Sequence, residues 1–159
     1  MGKSGCKSQN KEEKVFKGQF IHSIDNKGRV SIPAKLRKYV APEANNSFVM
    51  TQGIDACIDI YPRDQWLTIE EKLLKLNTFI QKESRFLRLM LQNAHEDEMD
   101  AQSRIVIPQN LLDYAQIENE VLILGALKKI EIWSPRVYNA YISSSQETFE
   151  QIASEVMSL

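Results

Sequence analysis

A short segment that occurs twice constrains the fold of this chain more than any other feature. Each copy has an aspartate, three further residues, an arginine and an apolar–x–apolar–proline ending, first over residues 25–33 and again over residues 100–108. In the first copy, Gly28 can adopt a positive φ angle at no steric cost, which suits a tight turn. The alternating apolar residues have the period of a half-buried strand, and the proline suits the start of a helix. Each copy therefore predicts strand, turn, strand and helix start.

The sequence around the two copies repeats as well. Ile-Asp-Ile-Tyr over residues 58–61 matches Ile-Glu-Ile-Trp over residues 130–133, and Tyr39 and Tyr114 follow their prolines at equal distances. The repeat is therefore a whole ββαββ unit. A unit of about 45 residues is near the size at which a separate core is marginal. Because interlocked units would pair their strand edges and share one core, we expect a mostly β, α+β fold with pseudo-twofold symmetry.

The pattern divides the chain into five segments. Residues 1–14 are Lys-rich and lack periodicity, which predicts a disordered basic tail. Apolar residues at helical spacing predict a helical spacer between the copies and a C-terminal helical tail that is interrupted at residues 143–145. The predicted boundaries are residues 15–65 for the first unit, 66–93 for the spacer, 94–137 for the second unit and 138–159 for the tail.

Composition provides no general electrostatic argument for nucleic-acid binding. The net charge is −1, so any such argument must come from a local patch. No apolar run approaches the length of a membrane span, which predicts a soluble cytoplasmic protein without a membrane partner. Cys6 and Cys57 have neither disulfide nor metal-binding spacing, so we expect ordinary thiols in a reducing compartment.

Residues of the types used in catalysis give little support for an enzyme. The two histidines, His22 and His95, do not lie in a recognisable catalytic motif, and no glycine-rich phosphate-binding motif occurs. Along the acidic run over residues 95–98, strand geometry sends successive side chains to opposite faces, which favours a solvated face over a metal site. We therefore expect no catalytic residues, no metal, no cofactor and no small-molecule substrate.

Charge distinguishes the two copies. The residues around the first turn are basic: Lys27, Arg29, Lys35, Arg37 and Lys38. Those around the second are mostly acidic, with Arg104 almost alone among Glu96, Asp97, Glu98, Asp100 and Asp113. A phosphate backbone is attracted to the first surface and repelled by the second. We therefore predict that the five basic residues of the first unit contact DNA and that the second unit is structural or assembles an oligomer.

The aspartate–arginine pairs have two interpretations. Asp25 and Arg29 flank a short turn, as do Asp100 and Arg104, so each pair can meet across a hairpin. A surface ion pair contributes about 0–1 kcal/mol and would act as a structural latch. An arginine held by a carboxylate is also aimed in advance at a phosphate or a guanine edge. Because the pair recurs in the acidic copy, we interpret it first as a latch and expect Arg29 to serve both purposes.

The two turns and their matching flanks resemble the MraZ family of bacterial transcriptional regulators, over roughly residues 16–138. The resemblance implies two SpoVT-AbrB-type units that form a swapped-hairpin barrel. It also implies a ring-shaped homo-oligomer that is nucleoid-associated, binds specific promoter DNA and controls the division and cell-wall gene cluster. The second turn lacks the glycine of the first, which questions whether both turns share one backbone conformation.

A ring would explain how one short basic turn suffices for DNA binding. Several weak contacts presented together gain effective concentration when repeated sites in double-stranded promoter DNA match the spacing of the subunits. The alternative function is a ring-forming scaffold for protein interactions without DNA binding, with which the near-zero net charge and the helices are compatible.

Overall fold

The structure, a computed structural model, describes residues 15–158, so the predicted basic tail and Cys6 lie outside it. The first unit has the strands β1 (Gln19–Ser23), β2 (Arg29–Ser31), β3 (Ser47–Gln52) and β4 (Ile58–Pro62), with helix α1 (Ala34–Arg37) and a 3-10 turn (Pro42–Ala44) after β2. Two helices follow, α2 (Arg63–Leu73) and α3 (Gln81–Gln92). The second unit has β5 (His95–Glu98), β6 (Arg104–Val106), α4 (Gln109–Tyr114), β7 (Glu120–Ala126) and β8 (Lys129–Trp133). The tail forms α5 (Pro135–Ser144) and α6 (Phe149–Met157).

Six strands form one antiparallel sheet with pseudo-twofold symmetry. Their order is β1-β7-β8-β4-β3-β5. The central strands β4 and β8 occupy equal positions in the two units, and their register sets Asp59 opposite Glu131. Each unit gives its first strand to the other, since β1 pairs with β7 and β5 pairs with β3. This exchange confirms two duplicated, interlocked units, while closure of the sheet into a barrel stays a prediction.

The remaining strands, β2 and β6, form a separate antiparallel ladder with Val30 opposite Ile105. The ladder is extended at both ends by backbone hydrogen bonds: Ile32 donates to the Ser103 carbonyl at 2.9 Å, and Ile107 donates to the Gly28 carbonyl at 2.8 Å. The strands on either side of each tight turn therefore pair with the other unit, not with each other. The two strands therefore form no local hairpin: they are exchanged between the units, as the swapped-hairpin arrangement implied by the resemblance requires, and the turn itself forms.

Apolar residues at equal positions of the two units meet in one core. Val30 and Ile105 are fully buried, as are Leu36 and Leu111 on α1 and α4. Burying one such side chain contributes about 1.5–3 kcal/mol. Among the aromatic residues, Trp133 and Phe16 are only 2% exposed and Phe48 is fully buried. The shared core agrees with the expectation that one unit alone is too small to bury its apolar face.

Two helix starts differ from the sequence-based prediction. Pro33 and Pro108 have extended ψ angles of 140° and 145°, so each precedes its helix as the N-cap residue and is outside the first turn. Helix α2 has Pro62 as its N-cap residue, without a side-chain cap bond, and Asp64 lies in its first turn. Before α3, Asn77 Oδ1 accepts from the Phe79 N–H at 3.0 Å and holds a local turn, and the helix begins at Gln81.

Helices α5 and α6 are separated at Ser145, whose backbone is extended. The tail is therefore interrupted over residues 145–148, slightly later than the predicted interruption at residues 143–145. Helix α6 starts with a capping box between Thr148 and Gln151, and it exposes large apolar side chains, including Phe149 (86%) and Val156 (73%). Helix α3 also exposes apolar residues, with Phe86 49% accessible. Within residues 15–158, no helix combines the length and the apolar character needed to cross a bilayer.

Candidate nucleic-acid interface

The first turn is held closed by the carboxylate of Asp25. One carboxylate oxygen, Oδ1, accepts from the backbone N–H groups of Lys27 and Arg29, each at 2.9 Å. The other, Oδ2, accepts from Arg29 Nε at 2.5 Å. The Asp25 carbonyl accepts from the Gly28 N–H at 3.0 Å. Both carboxylate oxygens and the carbonyl oxygen of Asp25 therefore accept hydrogen bonds from within the turn itself.

The second turn repeats this geometry. Asp100 Oδ1 accepts from the N–H groups of Gln102 and Arg104 at 2.9 Å, and Asp100 Oδ2 accepts from Arg104 Nε at 2.9 Å. Ser103 replaces the glycine yet has a φ angle of +60°, compared with +78° for Gly28. Both turns therefore share one backbone conformation, and the question that the missing glycine raised is answered. The serine adopts the left-handed conformation at an energetic disadvantage.

The turn geometry lowers the pKa of both aspartates. The hydrogen bond from the Arg29 backbone N–H is the largest cause for Asp25, and that from the Arg104 backbone N–H for Asp100. A carboxyl with a lowered folded-state pKa contributes stability above its unfolded pKa of 3.8, and this stability is lost as the pH falls through the folded value. The latches are consequently intact at neutral pH.

The Arg29 guanidinium is held at its Nε atom, and its two terminal nitrogens can donate to a ligand. Its Nε is committed to Asp25, whereas its terminal guanidinium nitrogens have no hydrogen-bond partner within residues 15–158. Its side chain is 30% exposed. A guanidinium so oriented can offer two parallel N–H groups to a phosphate or to the O6 and N7 atoms of guanine. The latch and the binding interpretations of this pair are therefore compatible.

The basic residues predicted to surround the first turn do not all lie there. Lys27 is exposed and belongs to that turn. Helix α1 carries the exposed Lys35 and the half-buried Arg37, and the exposed Lys38 follows as its C-cap residue. The helix begins two residues after Ile32. Because Ile32 is bonded to Ser103, α1 begins beside the second turn. This corrects the predicted grouping, since proximity in sequence to Arg29 is overridden by strand exchange between the units.

The acidic residues of the second unit are largely engaged in local contacts. Glu96 lies 3.6 Å from Arg63, and Asp97 Oδ2 accepts from the Val106 N–H at 2.8 Å. Asp113 Oδ1 accepts from the Gln109 side chain at 2.8 Å. Of these contacts only the Glu96–Arg63 pair offsets negative charge, because the donors to Asp97 and Asp113 are neutral and leave those carboxylates charged.

A buried ionic cluster at the centre of the sheet was not predicted from the sequence. Lys129 Nζ lies 3.0 Å from Asp59 Oδ2 and 3.2 Å from Glu131 Oε2, and Asp59 is only 5% exposed. The signal that could have revealed the cluster is the equal position of Asp59 and Glu131 in the repeated strand ends. Strand alternation directs their side chains to one face.

The same cluster contains the one group of potential metal ligands found in the described part of the chain. Oxygen and sulfur atoms of Cys57, Asp59 and Glu131 lie within 4.8 Å of one another. The Lys129 ammonium already bridges the two carboxylates. Burial, followed by the nearby Asp59 charge, raises the pKa of the Cys57 thiol, which disfavours the thiolate that a metal requires. These residues form an ion-pair network and do not fit a metal.

Replacing Lys129 with methionine is expected to destabilise the protein by about 2 kcal/mol near pH 7, because Asp59 would stay buried without its counter-ion. Burial already raises the pKa of Asp59 above its ordinary value of 3.8, despite the opposing effect of Lys129. A carboxyl with a raised folded-state pKa stabilises the fold most at low pH and loses that contribution as the pH rises. The deficit measured by urea unfolding should therefore shrink as the pH falls toward 4, and a deficit independent of pH would contradict this account.

Sequence comparison supports the resemblance that the repeated turns indicated. A profile of the MraZ protein family, described as antitoxin-like, matches residues 15–89 and matches again over residues 90–158. The two matches correspond to the two units of the fold and leave only the chain ends uncovered.

The chain belongs to the MraZ family.

Bacterial members of the MraZ family match almost the whole chain. A protein of Natranaerobius thermophilus named transcriptional regulator MraZ is 41% identical over 143 residues, which is 90% of this chain and 97% of that protein. Proteins with the same name from Halothermothrix orenii and Caldanaerobacter subterraneus are 39% and 42% identical, over 91% and 87% of this chain and 99% and 94% of their own lengths.

Proposed function

We propose that this chain is a transcriptional regulator that binds specific sites in double-stranded promoter DNA through its first turn. Its similarity to proteins named transcriptional regulator MraZ over 87–91% of its length supports the general role. Such a role requires no catalytic site. The DNA-binding residues in this proposal are Lys27 and Arg29 at the first turn, together with Lys35, Arg37 and Lys38, which the strand exchange places beside the second turn.

The single observation that carries the proposal is the orientation of Arg29. Its Nε is held by Asp25 at 2.5 Å in a turn whose backbone is fixed by three further hydrogen bonds. A preorganised guanidinium loses less conformational entropy on binding than a free side chain. Each good bidentate contact between an arginine and guanine contributes about 1–3 kcal/mol of discrimination. The exposed Lys27 beside it supplies a nearby positive charge for the phosphate backbone.

The exposed apolar helix faces support self-association into a ring. Phe149 and Met157 on α6 are 86% and 67% exposed, and Leu91 on α3 is 46% exposed. Apolar surface of this kind is typical of interfaces. In this proposal a homo-oligomeric ring presents several first turns to repeated promoter sites in the division and cell-wall gene cluster. The protein would then act at the nucleoid.

The test is a comparison of one binding site with several. Tandem repeats from the protein's own promoter region should bind about 100-fold more tightly than a single repeat of equal total length, because the linked contacts gain effective concentration. Affinity should fall as salt is raised. Equal affinity for both DNAs would contradict the ring mechanism. Absence of binding at low salt would favour the alternative, a scaffold whose helix faces bind other proteins.

A further inference from the structure

The β2–β6 ladder brings parts of both units together at each end. At one end, the second turn contacts the end of β2 through the 2.9 Å bond between Ile32 and Ser103. At the other end, the first turn contacts the end of β6 through the 2.8 Å bond between Ile107 and Gly28. Each turn therefore lies beside the helix start of the opposite unit. The second turn is next to α1, and the first is next to α4.

These two composite ends differ in chemistry. Near the second turn, α1 supplies Lys35 and Lys38, both exposed and without a carboxylate partner among residues 15–158. Lys38 Nζ instead lies 5.1 Å from the centre of the Tyr39 ring. Near the first turn, α4 supplies the uncharged, exposed Gln109 and Asn110. Strand exchange therefore places the lysine-rich helix at the end opposite Arg29.

Arg104 at the second turn is oriented like Arg29. Its Nε donates to Asp100 at 2.9 Å, which leaves its terminal nitrogens without a hydrogen-bond partner within the described chain. Asp100 is in turn occupied by Arg104 and by two backbone N–H groups. The second turn and α1 together therefore present the cations Arg104, Lys35 and Lys38. The carboxylate of the turn, Asp100, already accepts hydrogen bonds from Gln102 and Arg104.

The separation of the two ends suits a DNA duplex. With its two end bonds the ladder runs from Gly28 to Ile32, so the two turns join it four residue steps apart, about 14 Å at roughly 3.4 Å per residue. The major groove of B-DNA is about 12 Å wide. One turn can therefore lie at the base edges while the other lies at the phosphate backbone that borders the groove. Contacts to phosphates fix position, whereas contacts to base edges determine sequence preference.

We infer that Arg104, Lys35 and Lys38 form a second DNA-contact surface that binds backbone phosphates, while Arg29 at the first turn contacts base edges. This inference rests on the proposed DNA-binding function. It changes the role of the second unit, which the sequence indicated to be structural or to assemble an oligomer. It also assigns the α1 lysines to a surface shared with Arg104, away from Arg29.

The salt dependence of DNA binding tests this division. The double variant Lys35→Gln and Lys38→Gln should weaken binding to matched and scrambled single-site duplexes by the same factor. The slope of log affinity against log salt should decrease by about 2, because each lost phosphate contact removes about 0.9. The variant Arg104→Gln should decrease the slope by about 1, and Arg104→Lys should restore it.

One further double variant keeps the outcomes distinct. The matched control, Lys72→Gln with Lys75→Gln, removes two exposed positive charges, one on α2 and one just after it. It should leave the slope of log affinity against log salt unchanged. An unchanged slope in the Lys35 and Lys38 variant, with selective binding by the wild type, would overturn the inference and leave the proposed function standing. Loss of sequence preference in that variant would overturn it too, because it would indicate base contacts. No selective binding by the wild type would refute the proposed function, and the inference with it.

Discussion

Replacing Arg29 with alanine should reduce binding to tandem promoter repeats by about 1000-fold and abolish the preference for matched over scrambled DNA. Losing one bidentate base contact costs about 1–3 kcal/mol. With two subunits engaged, the loss is roughly 2–6 kcal/mol, and every 1.4 kcal/mol is a factor of ten in affinity. Fluorescence anisotropy with both DNAs at two salt concentrations measures the effect.

The fold should tolerate this replacement. The backbone donors Lys27 and Arg29 continue to bind Asp25 Oδ1, and the lost ion pair is a partly exposed one that contributes about 0–1 kcal/mol. Sedimentation should therefore show an unchanged oligomer. Arg29→Lys is the matched control, because it keeps the charge but lacks the planar fork. It should retain salt-sensitive binding without sequence preference, and full selectivity in this variant would refute base contact by the guanidinium.

Replacing Gly28 with alanine should destabilise the protein by about 3 kcal/mol, because steric overlap adds to backbone strain. The φ angle of Gly28 is +78°, and an added Cβ would lie 2.7 Å from the carbonyl oxygen of Ile107. That oxygen belongs to the backbone at the end of the ladder, so it cannot move aside without disturbing the strand pairing. For a chain of this size, the melting temperature should fall by about 6–12 °C.

Ser103→Gly is the matched control for this effect. Ser103 holds the equivalent position with a φ angle of +60°, so glycine should relieve strain and stabilise the protein by about 0.5–1 kcal/mol, after its greater entropy loss is included. Unfolding of both variants should be measured at the same protomer concentration, because the stability of the proposed oligomer depends on that concentration. If Gly28→Ala does not destabilise the protein and Ser103→Gly does not stabilise it, the turns do not need the left-handed conformation.

Local patterns in the sequence were sufficient to predict most elements and the core. The alternation of Val30 and Ile32 predicted a strand, and both residues are buried. The duplicated pattern predicted that equal residues, such as Leu36 and Leu111, would share one environment, and both lie in the common core. The aspartate–arginine spacing predicted the contact within each turn. These features depend on residues within a few positions of one another, so period and turn chemistry determine them.

Only the tertiary structure decided which strands pair. A turn closed by Asp25 and Arg29 is compatible with a local hairpin or with exchange, because either arrangement satisfies the backbone groups of β1 and β2. The packing of both units selected exchange, with β1 on β7 and β2 on β6. That selection moved α1 beside Ser103 and buried Asp59 next to Lys129, 70 residues away. The sequence by itself determined the turns and the apolar faces, because those are local. The composition of each DNA-facing surface was decided by pairing between distant strands, which no local pattern encodes.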